Sequence, residues 1–376
     1  MRHMNMEKTP HVNEERLIKT FIDLVKISSP SWEEKGVIDY IVNFGKSAGV
    51  ECITYPCNNS YNVCIKILGE DNYVPILFSC HMDTVTPCEN IQPVIKQNKI
   101  ASDGSTILGA DDKSAVAGFL EAILCLKEST IPHGNIEFLF SCAEETGLYG
   151  IKGFDVKQVQ AKYAFVFDSD GPVGGVVVAA PFHISMKIYV KGKAAHAGME
   201  PEKGISAIRV ISEIITNIPH GRIDDETTVN VGTIKGGRAT NIVAEEAECT
   251  LETRSRKKNK VFTIKKEITS IAKTIALRYK AKISVTSNMD YEGYSINEND
   301  SIVSIAIQAL QSIGKKPLLA VSGGGSDTNI LNARGIKAVN LSSGMRQVHT
   351  TKEYIAMQDL FDVPSLVLSI VQAAKK

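Results

Sequence analysis

Pro75-Ile76-Leu77-Phe78-Ser79-Cys80-His81-Met82-Asp83-Thr84 is the stretch that decides the fold. Its first half is short and apolar, which predicts a strand buried on both faces over Pro75–Ser79. The run ends at a histidine and an aspartate two residues apart. In extended backbone the side-chain period is two, so His81 and Asp83 face the same way. Similar runs predict strands at Tyr61–Leu68, Ile136–Ser141 and Tyr163–Phe167. Between them a helix is expected from Lys113, with Val116, Phe119, Leu120, Ile123 and Leu124 on one face. Apolar strands alternating with helices predict an α/β sheet. Upstream, Asn13 is expected to cap a helix bearing Leu17, Ile18, Phe21, Ile22 and Val25. Ser31-Trp32-Glu33-Glu34 reads as a capping box opening a second helix. Met1–Pro10 reads as a polar, mobile tail without the apolar run of a secretory signal.

Open α/β sheets bind ligands outside the carboxyl ends of their strands. His81, Glu144, Glu145 and Asp168 all stand at such ends, and Asp111-Asp112 opens the helix at Lys113. Taken singly, each has an ordinary reading. A strand-end histidine is common, and the helix macrodipole favours acids at a first turn. Together they form one cluster of histidine and carboxylate groups. Without thiolates, such a set suits zinc, cobalt or manganese. Of two adjacent acids, one can ligate a metal while the other accepts a proton from water.

Pro181–Met289 reads differently. His183–Val190 alternates Ile184, Met186, Ile188 and Val190. A helix is expected near 204–218, strands near Thr228–Ile234 and Ala244–Thr253, then a helix with Val261, Ile264, Ile268, Ile271 and Ile275, and a strand at Ile283–Ser287. The order β-α-β-β-α-β is the split pattern of a ferredoxin-like domain. A helix at Ser301–Ile313 then resumes the α/β style. We therefore expect a larger domain in two parts, 1–181 and 291–376, interrupted by an inserted domain, 182–290.

Composition narrows the classes. The chain has 376 residues, more than the roughly 250–300 at which single cores stop growing. Its net charge is +0, so nothing suggests nucleic acid or an anionic membrane surface. No apolar run approaches the roughly 18 residues of a membrane span. The eight cysteines form no Cys-x-x-Cys pair, which argues against a thiolate zinc cage. They read as reduced core residues of a cytoplasmic protein.

His81-Met82-Asp83-Thr84, Gly109-Ala110-Asp111-Asp112-Lys113, Glu144-Glu145 and His349-Thr350-Thr351-Lys352-Glu353, in this order and spacing, resemble the two-zinc aminoacylase and carboxypeptidase superfamily. Within it the pattern is similar to the peptidase T-like aminotripeptidases. The resemblance implies a mixed-sheet catalytic domain of zinc-peptidase type carrying an inserted ferredoxin-like α+β lid and dimerisation domain. It implies that Asp112 bridges two divalent ions, His81 and Asp168 completing one and Glu145 and His349 the other. Asp170 is the alternative to Asp168. Glu144 would be the general base and Asp83 would orient His81. In the inserted domain the resemblance implies substrate contacts from His196, Asn241 and Arg254, and from Gly324 in the Gly323–Asp327 loop. Implied partners are a short peptide and a second copy of the chain, joined through the inserted domain.

The expectation is metal-assisted amide hydrolysis. A carboxypeptidase, dipeptidase or N-acyl amino acid hydrolase would use the same machinery. A non-catalytic metal-dependent binding protein is the alternative from another class, and Glu144 speaks against it, because holding metal does not require that residue. The Gly323–Ser326 loop lacks the lysine of a P-loop.

Overall fold

The computed structural model describes residues 11–375. The tail expected over Met1–Pro10 lies outside the described residues. The chain divides into two compact units. The larger holds the described residues up to Val178, with Ser295–Val321 and the chain from Ser326 onward, and the smaller holds Ala179–Tyr294 and Ser322–Gly325.

At the centre of the larger unit, Ile136–Ser141, Ile76–His81, Tyr163–Ser169 and Lys337–Ser342 are parallel neighbours. Ser60–Ile67 and Glu51–Cys57 add antiparallel strands on one side. The first two central strands are buried at every position, as continuous apolar runs in a doubly covered sheet require. Phe78, Phe119, Phe138, Phe165 and Phe167 are fully buried in one aromatic cluster. Each contributes about 1.5–3 kcal/mol by leaving water. The Ala110–Glu128 helix packs against the Met357–Ala373 helix. A Cβ on Gly118 would come within 2.3 Å of Val363 Cγ1, so glycine permits this approach.

The smaller unit is an antiparallel sheet in the order Gly221–Asp224, Thr227–Gly236, Glu246–Ser255, Phe182–Lys191, Lys282–Tyr291. Ile184, Met186, Ile188 and Val190 bury one face of the sheet, as their alternation predicts. They share a core with Val210, Ile211 and Ile214 of the Ala207–Asn217 helix and with Val261, Ile268 and Ile275 of the Lys258–Arg278 helix. The four long strands follow the ferredoxin-like order. The short Gly221–Asp224 strand was not anticipated, because Arg222 and Asp224 break the apolar pattern.

The capping box is overturned. The second helix begins at Lys35, and Glu34 at its N-cap makes no side-chain cap. Ser31 and Glu34 turn inward to other acceptors and donors, described below. All eight cysteines are free. Among the described residues no helix is long and apolar enough to cross a membrane.

Candidate metal centre

The carboxyl ends of the parallel strands converge on two groups of side chains. One is His81, Asp111 and Asp168; the other is Asp111, Glu145 and His349. Within each group the candidate ligand atoms lie within 4.8 Å of one another. Asp111 belongs to both. Its Oδ1 is 3.1 Å from His81 Nε2 and its Oδ2 is 3.1 Å from His349 Nε2. Asp168 Oδ1 stands 3.5 Å from His81 Nε2, and Glu145 Oε1 stands 3.0 Å from His349 Nε2.

Asp111, and not the Asp112 expected to bridge, lies between the two imidazoles. Both residues leave helical geometry, Asp111 at φ −81°, ψ 102° and Asp112 at φ −120°, ψ 27°. Their side chains therefore diverge instead of following a helical turn. Asp112 Oδ2 accepts the His81 backbone N–H at 3.3 Å. Asp112 Oδ1 is buried without a hydrogen-bond partner. Asp170, the alternative to Asp168, is exposed and joins neither group.

Buried carboxylates hold the loops that carry these groups. The Asp83 carboxylate accepts the N–H of Glu144 at 2.9 Å, the N–H of Glu145 at 3.1 Å and the Ser31 hydroxyl at 2.6 Å. His81 Nδ1 lies 2.9 Å from the Asp83 carbonyl, closer than the 3.6 Å to its carboxylate. Asp83 thus meets His81 chiefly through its backbone. Glu34 accepts the N–H of Ala143 and of Trp32 at one oxygen and the Ser60 hydroxyl at the other. Glu353 accepts the N–H groups of Leu108, Gly109 and Asp111 at 2.7, 2.8 and 2.9 Å. Sequence reasoning gave Ser31 and Glu34 no part in the site, and it singled out Glu353 as the end of the His349–Glu353 motif without giving it a role.

Electrostatics follow from burial. Burial, reinforced by Asp168, pushes the Glu144 carboxyl well above its usual range. Burial raises Asp168 to about 6. For Asp111 burial acts upward, but hydrogen bonds from His349 and His81 prevail and hold it well below the usual range. Asp111 and then Glu145 raise His349 to about 10. Five acids around two imidazoles leave negative charge that a low-dielectric site must neutralise. Nitrogen and oxygen donors around a shared carboxylate fit divalent metal ions, and the partnerless Asp112 Oδ1 is in keeping with that excess of acceptors.

The other candidates lie in the smaller unit. His196 is exposed, and its Nδ1 accepts the N–H of Gly198 and of Met199, both at 3.2 Å. That leaves Nε2 as the protonated, donating nitrogen. Asn241 is exposed beside it, its carbonyl accepting the Ala197 N–H at 3.0 Å. Arg254 is already engaged. Its Nε and Nη2 grip Glu252 at 3.0 and 2.9 Å, and its Nη1 donates to the Gly323 carbonyl at 3.3 Å. Gly324 follows, its N–H on the Ser322 hydroxyl.

A mixed α/β sheet whose strand ends gather two carboxylate-linked histidines is the donor arrangement that two-metal hydrolases use. Comparison with known proteins narrows it. A family model for a peptidase dimerisation domain matches residues 181–280, and one for peptidase family M28 matches residues 62–179. The YqjE protein of Bacillus subtilis is 38% identical over 97% of this chain and 100% of its own. The crystal structure of aminopeptidase PepT from Bacillus cereus is 39% identical, covers 96% of this chain and 99% of its own, and superposes with a TM-score of 0.89. That of a tripeptidase from Staphylococcus aureus is 35% identical, covers 96% and 98%, and gives 0.92. The chain belongs to the peptidase T-like family of metallopeptidases.

Proposed function

We infer that this chain hydrolyses an amide bond of short peptides, in the manner of a tripeptide aminopeptidase, with two divalent ions, preferentially zinc. The carrying observation is Asp111, whose two oxygens each face a histidine of a different group. His81 and Asp168 would hold one ion, Glu145 and His349 the other, with Asp111 shared. Ions bound there would polarise the scissile carbonyl and make water acidic enough to attack near neutral pH. Glu144, buried and next to the candidate ligand Glu145 in the chain, is the proposed base. It takes a proton from the attacking water and hands it to the leaving nitrogen.

In the smaller unit, His196 Nε2–H would donate to the developing oxyanion, and Asn241, Arg254 and Gly324 would contact substrate. Arg254 would meet a peptide carboxylate as a guanidinium already aligned by Glu252. Several features support a homodimer through this unit. The Gly221–Asp224 strand pairs with Thr227–Gly236 only as far as Val229. Beyond it the strand edge is open among the described residues, with Ile234 54% exposed on it and Ile208 of the Ala207–Asn217 helix 42% exposed, and an open edge is a template for pairing. Eight unpaired thiols suit a cytoplasmic location.

The test is amino acid release from a panel of di-, tri- and N-acylated peptides, before and after chelation and zinc return. Metal-dependent cleavage of short free peptides is expected, and Asp111→Asn should abolish it more completely than Asp112→Asn. Cleavage that survives chelation, or that Asp111→Asn leaves intact, would refute the reading.

A further inference from the structure

Trp32 is the chain's one tryptophan, and its backbone is left-handed, with φ 76°. A bulky side chain there is an outlier that persists only when its surroundings hold it, and such strain gathers at functional sites. The surroundings are the catalytic loop. The N–H groups of Trp32 and Ala143 share Glu34 Oε1 at 2.8 and 2.9 Å. One residue earlier, the Ser31 hydroxyl shares Asp83 Oδ2 with the N–H of Glu145. Residues 31–32 therefore run alongside 143–145, one shared acceptor away at two consecutive points.

The same loop delivers a second ring. Tyr149 lies four residues past Glu145, its N–H bonded to the Ala143 carbonyl at 3.0 Å. Its ring centroid is 5.3 Å from that of Trp32, inclined at 46°. Leu148, just before it, is also left-handed at φ 61°, and the Lys152 ammonium lies 5.7 Å from the ring. Yet Tyr149 is 45% exposed, and Trp32 is only partly buried against the core. Two neighbouring aromatic rings, partly open to solvent and carried on segments tied to the Ala143–Glu145 turn, gain nothing from water. Their burial would come from an apolar group arriving from outside.

We propose that Trp32 and Tyr149 form an apolar side-chain subsite that receives an aliphatic or aromatic side chain of the peptide. This rests on the peptidase reading above. On that reading the ion-holding acids set the place of the reacting amide, and the rings would supply side-chain selectivity that carboxylates cannot.

The experiment compares kcat/KM for three series, X-Gly-Gly, Gly-X-Gly and Gly-Gly-X, with X as Leu, Phe or Gly. In one series the wild type is expected to favour Leu or Phe over Gly by about tenfold or more. Trp32→Ala and Tyr149→Ala should each cut that ratio about tenfold, whereas Trp32→Phe should keep most of it. Trp32, as the single tryptophan, also reports binding directly. In the Glu144→Gln protein with zinc bound, its emission should shift saturably with the preferred Leu peptide and not with Gly-Gly-Gly. Folded Trp32→Ala and Tyr149→Ala proteins that keep the wild-type ratio, or lose rate equally on all peptides, would overturn the subsite. Should Trp32→Ala fail to fold, Tyr149→Ala and the emission titration decide. A wild type that cleaves nothing refutes the peptidase reading instead, and the emission titration still judges the rings.

Discussion

The larger unit buries most of its candidate reactive groups, the exposed His349 excepted, while the smaller unit leaves His196 and Asn241 in the open. Asp111, Asp112, His81 and Glu144 are almost without solvent contact, and their loops are tied by carboxylates accepting consecutive backbone N–H groups. His196 and Asn241 are exposed, and their two segments meet through the backbone. Arg254 is intermediate, aligned by Glu252, which also faces His183 at 3.0 Å. The difference separates two tasks. Groups that set charge and geometry for chemistry need a rigid, dry frame, whereas groups that meet a molecule from solution need access.

The comparison is most exposed at its buried end. Glu144→Gln should lower kcat by about 10²–10⁴-fold while zinc content, read by elemental analysis, stays normal. Glu145→Gln should instead lose metal. Exchanged phenotypes would exchange the two roles. At the open end, His196→Ala should lower kcat by about 10²–10³-fold with an unchanged melting temperature, and an unaffected rate would remove His196 from the reaction. The smallest effect tests the frame itself. Glu353→Gln should weaken zinc affinity by about 10–100-fold, the range for groups that orient ligands. A glutamine offers one acceptor oxygen, so its NH₂ group faces a backbone N–H where Glu353 accepted one. Metal titration of the folded variant reads this, and wild-type affinity would show that the Leu108–Asp111 turn keeps its shape without the carboxylate.

Much of the architecture was legible because burial writes a period into sequence. The short runs Ile76–Phe78 and Phe138–Phe140 marked the parallel centre, and the alternation from Ile184 to Val190 marked the antiparallel sheet. The histidines and acids were legible as strand-end coincidences and through family resemblance. Which of two adjacent aspartates lies between the imidazoles was not legible. That choice depends on two residues departing from helical φ and ψ, which no side-chain period encodes. Ser31 and Glu34 were misread because a capping box and a pair of inward acceptors have the same local spelling. Only tertiary contact with Asp83 and Ala143 distinguishes them. The Glu353 carboxylate meets Leu108 across 245 positions of sequence, beyond any local pattern.

That separation sets an order of assembly. As the chain emerges from the ribosome, His81, Asp111, Glu145 and Asp168 are all made before the smaller unit's strands begin at Phe182. His349 and Glu353 come only after that unit is complete. A nascent chain can therefore gather the first ligand group early, but the second group and the clasp on the Leu108–Asp111 turn must wait for the returning segment. On the proposed ligand set, loading with two ions would therefore require the returning segment, and a product stalled before His349 would lack one of the two imidazoles.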